Sequence, residues 1–266
     1  MNEFLAYRDL LWQLIRREVL VRYRHSILGV GWALLQPLGM MLLFTFVFTR
    51  AVPQDFTQRV GAPYPLFVYL GVLPWTLFAT GLGNCVSSLT AHRDMVTKIY
   101  FPQQILPLTG VASAFFDFCV AAVVLVGLVV WFHVTGAWSF TASPALLLLP
   151  LVVLLQLVLM AGLGFWLALG NLWYRDVKYL FTAVIQMGMF LTNVLYPLPR
   201  DGSLTMRVLA TANPMVPIID AYRDIVVRGV CPAGLPLATA AMMAVVFFVS
   251  GWMMYRVMEG RFAERV

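Results

Sequence analysis

Six long apolar stretches, separated by short charged segments, take up most of the chain. They lie at residues 29–49, 64–89, 105–132, 144–169, 179–197 and 235–255. A bilayer core of about 30 Å is crossed by roughly 20 apolar residues in an α-helix, so each stretch is long enough for one span. The strands of a transmembrane barrel would be shorter and would alternate apolar with polar residues. The pattern therefore predicts an all-α integral membrane protein with six transmembrane helices.

The segments between these stretches are too short to hold a separate soluble domain. The chain is 61% hydrophobic and 11% charged, whereas an ordinary soluble domain is about 25% charged. We therefore predict a single transmembrane domain over residues 1–266. Within it we expect a cytoplasmic interfacial segment at 1–28, a six-span region at 29–258 and a cytoplasmic tail at 259–266.

The distribution of basic residues predicts the orientation. If the N-terminus is cytoplasmic, twelve of the 18 basic residues fall in inner segments and six fall in outer segments. Cytoplasmic loops carry an excess of Lys and Arg, so this bias favours both termini inside. The net charge of +6 then needs no nucleic acid as a partner, because no soluble face exists to bind one.

The segment before the first span has the pattern of an amphipathic helix. Its apolar positions are Leu5, Trp12, Ile15 and Val19, and its polar positions are Asp9, Gln13, Arg16 and Arg17. A basic amphipathic helix that runs straight into a span is typical of a helix lying in the membrane surface, with its basic face toward lipid headgroups. The alternative is an ordinary solvated helix.

The first substantial inner loop, at residues 91–104, also has an apolar side. It mixes the charged residues Arg93, Asp94 and Lys98 with apolar ones. Such a short helix can dock in the groove of a partner or rest on the bilayer, and the pattern alone favours neither.

Asp117 is the one formal charge inside a predicted span. A carboxylate at mid-membrane costs roughly 2.5–3.5 kcal/mol on insertion scales, which makes it a functional-site hypothesis by default. The alternative, which we favour for a single isolated Asp, is a structural hydrogen bond to another helix.

The fifth stretch is the most polar of the six. Thr182, Gln186, Met189 and Asn193 follow the spacing of one helix face. The aromatic residues Phe181, Phe190 and Tyr196 surround this stripe. Such a face must contact either another helix or a water-filled path, and both interpretations stay open.

The largest outer segment lies between the fifth and sixth stretches. Asn213 and Pro214 begin an amphipathic helix that extends to about Arg228. Its length and its prolines favour an outer re-entrant or surface helical hairpin over a full span.

Catalytic and metal-binding motifs are absent from the sequence. It contains no phosphate-binding loop, no nucleophile elbow and no Cys/His cluster. Its three histidines fall near three different membrane boundaries, so we predict no metal site. We therefore expect no catalysis and no cofactor in this chain. The energy for active transport would come from another subunit or from an ion gradient.

Several local strings resemble the membrane subunits of type-2 ABC exporters in the polysaccharide branch, which includes the O-antigen, capsule and teichoic-acid permeases. The strings are RYRHSILGVGWALLQPL at 22–38, YLGVLPWTLFATGLGNCVSSL at 69–89, MVTKIYFPQQILPL at 95–108, RDVKYLF at 175–181, NVLYPL at 193–198 and NPMVPIIDAYRDIV at 213–226. The resemblance covers nearly the whole chain.

This resemblance implies a permease that forms a homodimer and binds two copies of a separate ABC ATPase, which holds ATP and Mg. Its substrate would be a lipid-linked polysaccharide, most plausibly O-antigen, in the cytoplasmic (inner) membrane of a bacterium. The loop at 91–102 would be the coupling helix, with Arg93, Asp94, Lys98 and Tyr100 facing the ATPase. The first and fifth spans would line a path at the dimer interface. Its residues would be Trp32, Gln36, Met40, Phe44 and Phe48 together with Phe181, Thr182, Gln186, Met189, Phe190, Asn193 and Tyr196.

Two other functions remain as alternatives. A drug or small-lipid ABC exporter would share the fold but would need a narrower, more apolar path. An ion-coupled secondary transporter would need no ATPase. The lack of coupled charges inside the predicted spans weakens this second alternative.

Overall fold

The structure is a computed structural model that describes residues 7–24, 26–51, 61–98, 101–197 and 211–258. These residues form helices joined by short turns, and the described ranges contain no strand. The predicted all-α fold is therefore confirmed. The α-helices are α1 (Arg8–Arg24), α2 (Gly31–Ala51), α3 (Tyr64–Ala91), α4 (Arg93–Lys98), α5 (Ile105–Val134), α6 (Leu149–Trp173), α7 (Asp176–Leu191), α8 (Met215–Arg223) and α9 (Gly234–Met258).

Within the described ranges, five helical segments are long and apolar enough to cross a membrane. They are Gly31–Phe48, Tyr64–Ala91, Ile105–Val134, Pro144–Trp173 and Gly234–Met258, the fourth of which includes a short 3-10 turn before α6. They correspond to five of the six predicted spans. The remaining one, predicted at 179–197, is the 16-residue helix α7. The prediction of a continuous helix to residue 197 is wrong, because α7 ends at Leu191 and Thr192 is extended.

Helix α3 forms the centre of the fold. Of its 28 residues, 19 are buried, and it packs against α2, α5, α6, α7 and α8. A helix that is apolar on all sides can be buried among other helices or lie against lipid, and α3 is buried among other helices. Polar contacts also hold it in place: the Tyr69 hydroxyl donates to the Ala121 carbonyl at 2.8 Å, and the Gln156 amide donates to the Pro74 carbonyl at 2.7 Å.

Helices α6 and α9 approach closely at two glycines. A Cβ on Gly251 would lie 2.7 Å from the Gly162 carbonyl oxygen, and a Cβ on Gly162 would overlap the backbone of Phe247 and Phe248. Small residues at such crossings let helix backbones come together in a membrane, where packing replaces the hydrophobic effect.

The N-terminal helix α1 packs against the beginning of α5. Leu14 is buried in a second apolar cluster with Leu89, Val96 and Phe165, whereas Trp12 on another face is 66% exposed. The predicted helix is therefore present, but the side chain that faces the core is Leu14, whereas the predicted apolar position Trp12 faces outward. The position of the helix in the membrane surface stays a prediction.

Helix α8 in the outer segment is enclosed by other helices. All of its residues except Asp220 are buried, and it packs on α3, α6 and α9. A π-helical turn at Asp224–Arg228 extends it and ends at Gly229, whose φ of 64° is left-handed. The predicted helix at 213–228 is thus confirmed, while the re-entrant path of the whole hairpin stays a prediction.

Candidate translocation and coupling sites

Asp117 forms an ion pair with Arg22. The Arg22 guanidinium donates to one carboxylate oxygen of Asp117, and the Tyr23 hydroxyl donates to the other at 2.6 Å. The side chains of Arg22 and Asp117 are 31% and 18% exposed. The intramembrane carboxylate is therefore compensated by α1, which explains how a charge can be accommodated on α5.

Tyr23 keeps its proton in this arrangement. Burial, followed by the hydrogen bond to Asp117, raises the pKa of Tyr23 to about 12. The hydroxyl is therefore neutral at physiological pH and remains a donor to the carboxylate. The contact between α1 and α5 thus combines one charged and one neutral donor on a single acceptor group.

A cavity of about 380 Å³ surrounds this ion pair. It lies between α1, α2, α3 and α5. Its polar lining comprises Arg22, Tyr23, Trp32, Gln36, Thr76, Thr80, Asn84 and Asp117, and its apolar lining includes Leu73, Leu77 and Phe118. Polar side chains from three apolar helices thus meet in one partly open cavity.

The predicted path residues of the first span fall into two groups. Trp32 is 55% exposed, and both Trp32 and Gln36 line the cavity. Met40, Phe44 and Phe48 are partly buried against the main core. Phe48 stacks on Tyr64 with ring centroids 5.5 Å apart. The first group is therefore open to a ligand, whereas the second also stabilises the packing of α2 on α3.

The predicted path residues of α7 are divided in the same way. Thr182, Gln186 and Phe190 are exposed and repeat every four residues, which places them along one face. Phe181 is partly buried and Met189 is buried in the core. This line of exposed side chains carries a hydroxyl, an amide and an aromatic ring, and the exposed side chains beside it, such as Leu180, Val184 and Met187, are apolar.

Asn193 and Tyr196 lie beyond the end of α7. The Asn193 amide donates to the Asp220 carboxylate at 2.7 Å and to the Val216 carbonyl at 3.2 Å. The Tyr196 hydroxyl donates to the Phe190 carbonyl. Asn193 is 1% exposed, so in this structure it joins the end of α7 to α8.

Helices α2 and α7 lie on different sides of α3. Helix α2 packs on α3 and α5, and α7 packs on α3 and α6. The two faces predicted to line a path are thus both accessible at the surface of one chain. Whether they meet across two copies stays a prediction.

The predicted coupling helix is present as α4, directly after α3. Val96 is buried beside Leu14 of α1, whereas Arg93 and Asp94 are exposed. The helix ends at Lys98, and Tyr100 lies outside the described residues. A short helix with an apolar inner face and a charged outer face can therefore dock onto a partner, and the role of its residues stays a prediction.

A second cavity, of about 290 Å³, adjoins α4. Arg93 lines it together with Arg175, Lys178 and Tyr179 at the beginning of α7. The two predicted inner loops thus meet at one basic surface, as a common cytoplasmic side requires.

Sequence reasoning missed several of these residues. Thr76, Thr80 and Asn84 follow an i, i+4, i+8 spacing that would have identified a polar stripe on α3. The partners of Asp117 could not have been identified in this way, because Arg22 and Tyr23 lie 95 and 94 residues away. Arg223, which is buried and donates to the Phe67 and Val194 carbonyls, also gave no local signal.

Comparison with known proteins gives one consistent family. The model of the ABC-2 type transporter family matches residues 9–227. The O-antigen export system permease protein RfbA of Myxococcus xanthus is 31% identical over 266 residues, covering 100% of this chain and 98% of that protein. RfbA of Klebsiella pneumoniae is 26% identical over 96% of this chain and 94% of that protein. The polysialic acid transport protein KpsM of Escherichia coli is 23% identical over 92% of each chain.

Proposed function

The chain belongs to the ABC-2 type transporter family, and from that premise we propose that it is the permease subunit of an ATP-driven polysaccharide exporter. The single observation that supports this most strongly is the 31% identity to an O-antigen permease along the whole chain. More distant relatives also carry names of polysaccharide transport. O-antigen attached to a lipid carrier is the substrate we propose first.

The energy for export comes from a partner in this proposal. The sequence has no phosphate-binding loop, and membrane subunits of ABC transporters work with separate ATPases that hold ATP and Mg. We place the ATPase contact at α4, where Arg93 and Asp94 are exposed and Val96 anchors the helix to the core. ATPase closure would press on α4, and α3, which precedes it directly, would transmit the movement to the core.

The path for the glycan lies between two copies of the chain in this proposal. The exposed Thr182, Gln186 and Phe190 of α7 would face Trp32 and Gln36 of α2 in a second copy. Aromatic rings stack on the C–H faces of sugars, while amides and hydroxyls bond to sugar hydroxyls. The polymer would pass along this hydrated surface while its lipid stays in the bilayer.

The membrane arrangement follows from the same proposal. Helix α7 and the short turns after it would complete a sixth crossing together with α8, because 16 helical residues rise only about 24 Å. Both termini would then be cytoplasmic in the inner membrane of a bacterium, with lipids around the exposed apolar faces of α2, α5 and α9.

Deletion of the gene tests the proposed substrate class. We expect long polysaccharide to disappear from gels of surface glycans and lipid-linked polymer to accumulate in inner-membrane extracts. An unchanged surface coat would contradict polysaccharide export. If the coat is unchanged and the sensitivity of the cells to drugs changes, the chain would be a small-lipid or drug exporter. If transport is abolished by uncouplers, it would be a secondary transporter.

Charge reversal on α4 tests the ATPase contact. The double variant Arg93→Glu, Lys98→Glu should lose co-purification with the ATPase while the permease remains in the membrane. Arg8→Glu on α1 is the control, because Arg8 is exposed and contacts only its neighbour Asp9 among the described residues. Retention of the ATPase by the double variant would refute this assignment.

Alanine substitution tests the path. Gln186→Ala and Phe190→Ala should each lower surface polymer without lowering the amount of assembled complex, and Phe44→Ala should lower surface polymer by more than any loss of complex, since Phe44 also packs on the core. Phe247→Ala is the matched control, since Phe247 is a partly exposed aromatic residue on α9 outside the proposed path. Normal surface polymer in all three path variants would contradict the channel assignment.

A further inference from the structure

The cavity around Asp117 has more polar groups than the ion pair itself requires. Thr76, Thr80 and Asn84 enter it from one face of α3, and Trp32 and Gln36 enter it from α2. The Asn84 amide is engaged by Gly110 and Ser113 of α5. The other four side chains are Thr76, Thr80, Trp32 and Gln36.

These four side chains have unused hydrogen-bonding capacity. Threonines elsewhere in the helices donate to their own backbone, as Thr109 does to Ile105 and Thr182 does to Lys178. Among the described residues, Thr76, Thr80, Gln36 and Trp32 have no side-chain hydrogen bond. Polar groups within apolar helices need a polar partner, so this cavity is built for water or for a polar ligand.

The charges of the cavity favour a neutral ligand. Arg22 is its one cation and Asp117 its one anion among the lining residues, and they bind each other. A phosphate would have to compete with Asp117 for the guanidinium, whereas an uncharged polyhydroxyl group would not disturb the pair. The free hydroxyl, amide and indole groups match the donors and acceptors of a sugar.

The apolar part of the lining completes this match. Leu73, Leu77 and Phe118 lie on the same cavity as the Trp32 indole. The volume of about 380 Å³ is within the range of roughly 300–1,000 Å³ for small-molecule sites, which combine apolar walls with a few polar groups. We propose that this cavity binds one neutral sugar unit of the exported glycan, as a side pocket contained within a single chain.

This inference rests on the proposed function and assigns new roles. Thr76 and Thr80 would bond to sugar hydroxyls, and Trp32 would stack on the ring. Arg22 and Asp117 would be positioning residues that hold α1 against α5 and close one wall of the pocket. The pocket lies on the α2 side of α3, so a sugar bound there would be held apart from α7 of the same chain and would lie beside the path to which Trp32 and Gln36 contribute in the proposed dimer.

Protection of an introduced thiol tests the pocket directly. The permease with its ATPase is placed in lipid nanodiscs, and Ala33→Cys introduces a thiol at the cavity wall. The exposed Cys119 and Cys231 are replaced by alanine, whereas Cys85 is kept because it is buried. A hydrophilic maleimide reports access. The probes are the host surface polysaccharide, released from its lipid by mild acid, and inorganic pyrophosphate.

We expect the released glycan to slow labelling and pyrophosphate to have no effect. Thr76→Val with Thr80→Val should raise the half-protecting glycan concentration roughly 30-fold, the equivalent of two neutral hydrogen bonds. Thr76→Ser with Thr80→Ser should restore protection to near the parent value. Thr239→Val is the matched control, because that hydroxyl already donates to Pro236.

Three results would overturn the pocket. Protection of the thiol by pyrophosphate alone would identify a phosphate site. Absence of protection by either probe would mean that the cavity binds neither ligand. Equal protection by the glycan in the valine double variant would show that the two hydroxyls do not bind the sugar. These outcomes differ from failure of the exporter proposal, which would appear as an intact surface coat after gene deletion.

Discussion

Replacement of Arg223 by methionine should destabilise the packing of α8 against α3. Arg223 is 4% exposed, and its guanidinium donates to the carbonyls of Phe67, Asn193 and Val194 while stacking on the Phe67 ring at 3.5 Å. Methionine keeps the length and the apolar stem but removes every donor. Three carbonyls from α3 and from the end of α7 would then lose their partner.

The magnitude follows from these contacts. A hydrogen bond to a charged group contributes about 1.5–3 kcal/mol, and loss of one buried charged partner typically costs about 3–5 kcal/mol in total. For a chain of this size, each kcal/mol shifts the melting temperature by roughly 2–4 °C. We therefore expect Arg223→Met to lower the melting temperature by about 6–20 °C.

This shift is measured by heating the purified protein in detergent. The loss of the monodisperse peak in size-exclusion chromatography reports the unfolded fraction at each temperature. Arg8→Met is the control, because its side chain is 78% exposed and pairs with Asp9, whose side chain is 84% exposed. An exposed pair contributes about 0–1 kcal/mol, so the control should shift by at most a few degrees. Equal melting temperatures for the two variants would refute the reasoning about Arg223.

Three further predictions concern the same interior. Gly71→Ala should destabilise by a similar amount, and part of its effect should persist beside Arg223→Met, because its Cβ would overlap the Val194 backbone carbonyl oxygen as well as lying 2.6 Å from the Arg223 guanidinium; Gly127→Ala, with open space, should not lower the melting temperature. Asp117→Asn should cost about 1–3 kcal/mol by leaving Arg22 unpaired, and Arg22→Gln added to it should recover more than half of the melting-temperature loss; no recovery would exclude a direct pair. Since the pKa of Tyr23 rises to about 12 in the fold, its stabilising contribution is present below its ordinary pKa of about 10 and is lost as the pH rises to about 12. Tyr23→Phe should therefore flatten that alkaline decline in melting temperature, and an identical decline in both proteins would contradict it.

The long spans could be predicted from the sequence because their cause is local. The apolar stretches at 64–89 and 105–132 correspond to Tyr64–Ala91 and Ile105–Val134 in the structure. Continuous hydrophobicity over this length is stable as a helix in a membrane whatever surrounds it. The helices α1 and α4 could also be predicted, because their periodicity is visible in the sequence.

The end of α7 could not be predicted because its cause is distant in sequence. The apolar pattern continues to residue 197, yet the helix ends at Leu191. The Arg223 guanidinium donates to the carbonyls of Asn193 and Val194. The Asn213 amide donates to the Thr192 hydroxyl at 2.9 Å. Contacts from residues 21–30 positions later therefore replace the helical hydrogen bonds that the local pattern would have formed.

The difference between a structural and a functional polar residue in this protein is whether its hydrogen bonds are already made. Asn193 and Gln156 are polar residues among apolar helices, and both bond to neighbouring helices. Thr76 and Thr80 are equally polar but only partly buried, and Gln36 is exposed at the cavity; in the described residues none of these three side chains has an internal partner. Substitution in the first group should therefore change stability and, through it, the amount of assembled protein. Substitution in the second group should leave stability nearly unchanged and alter only export. A donor that has no hydrogen-bond partner within the protein stabilises only the complex with its ligand.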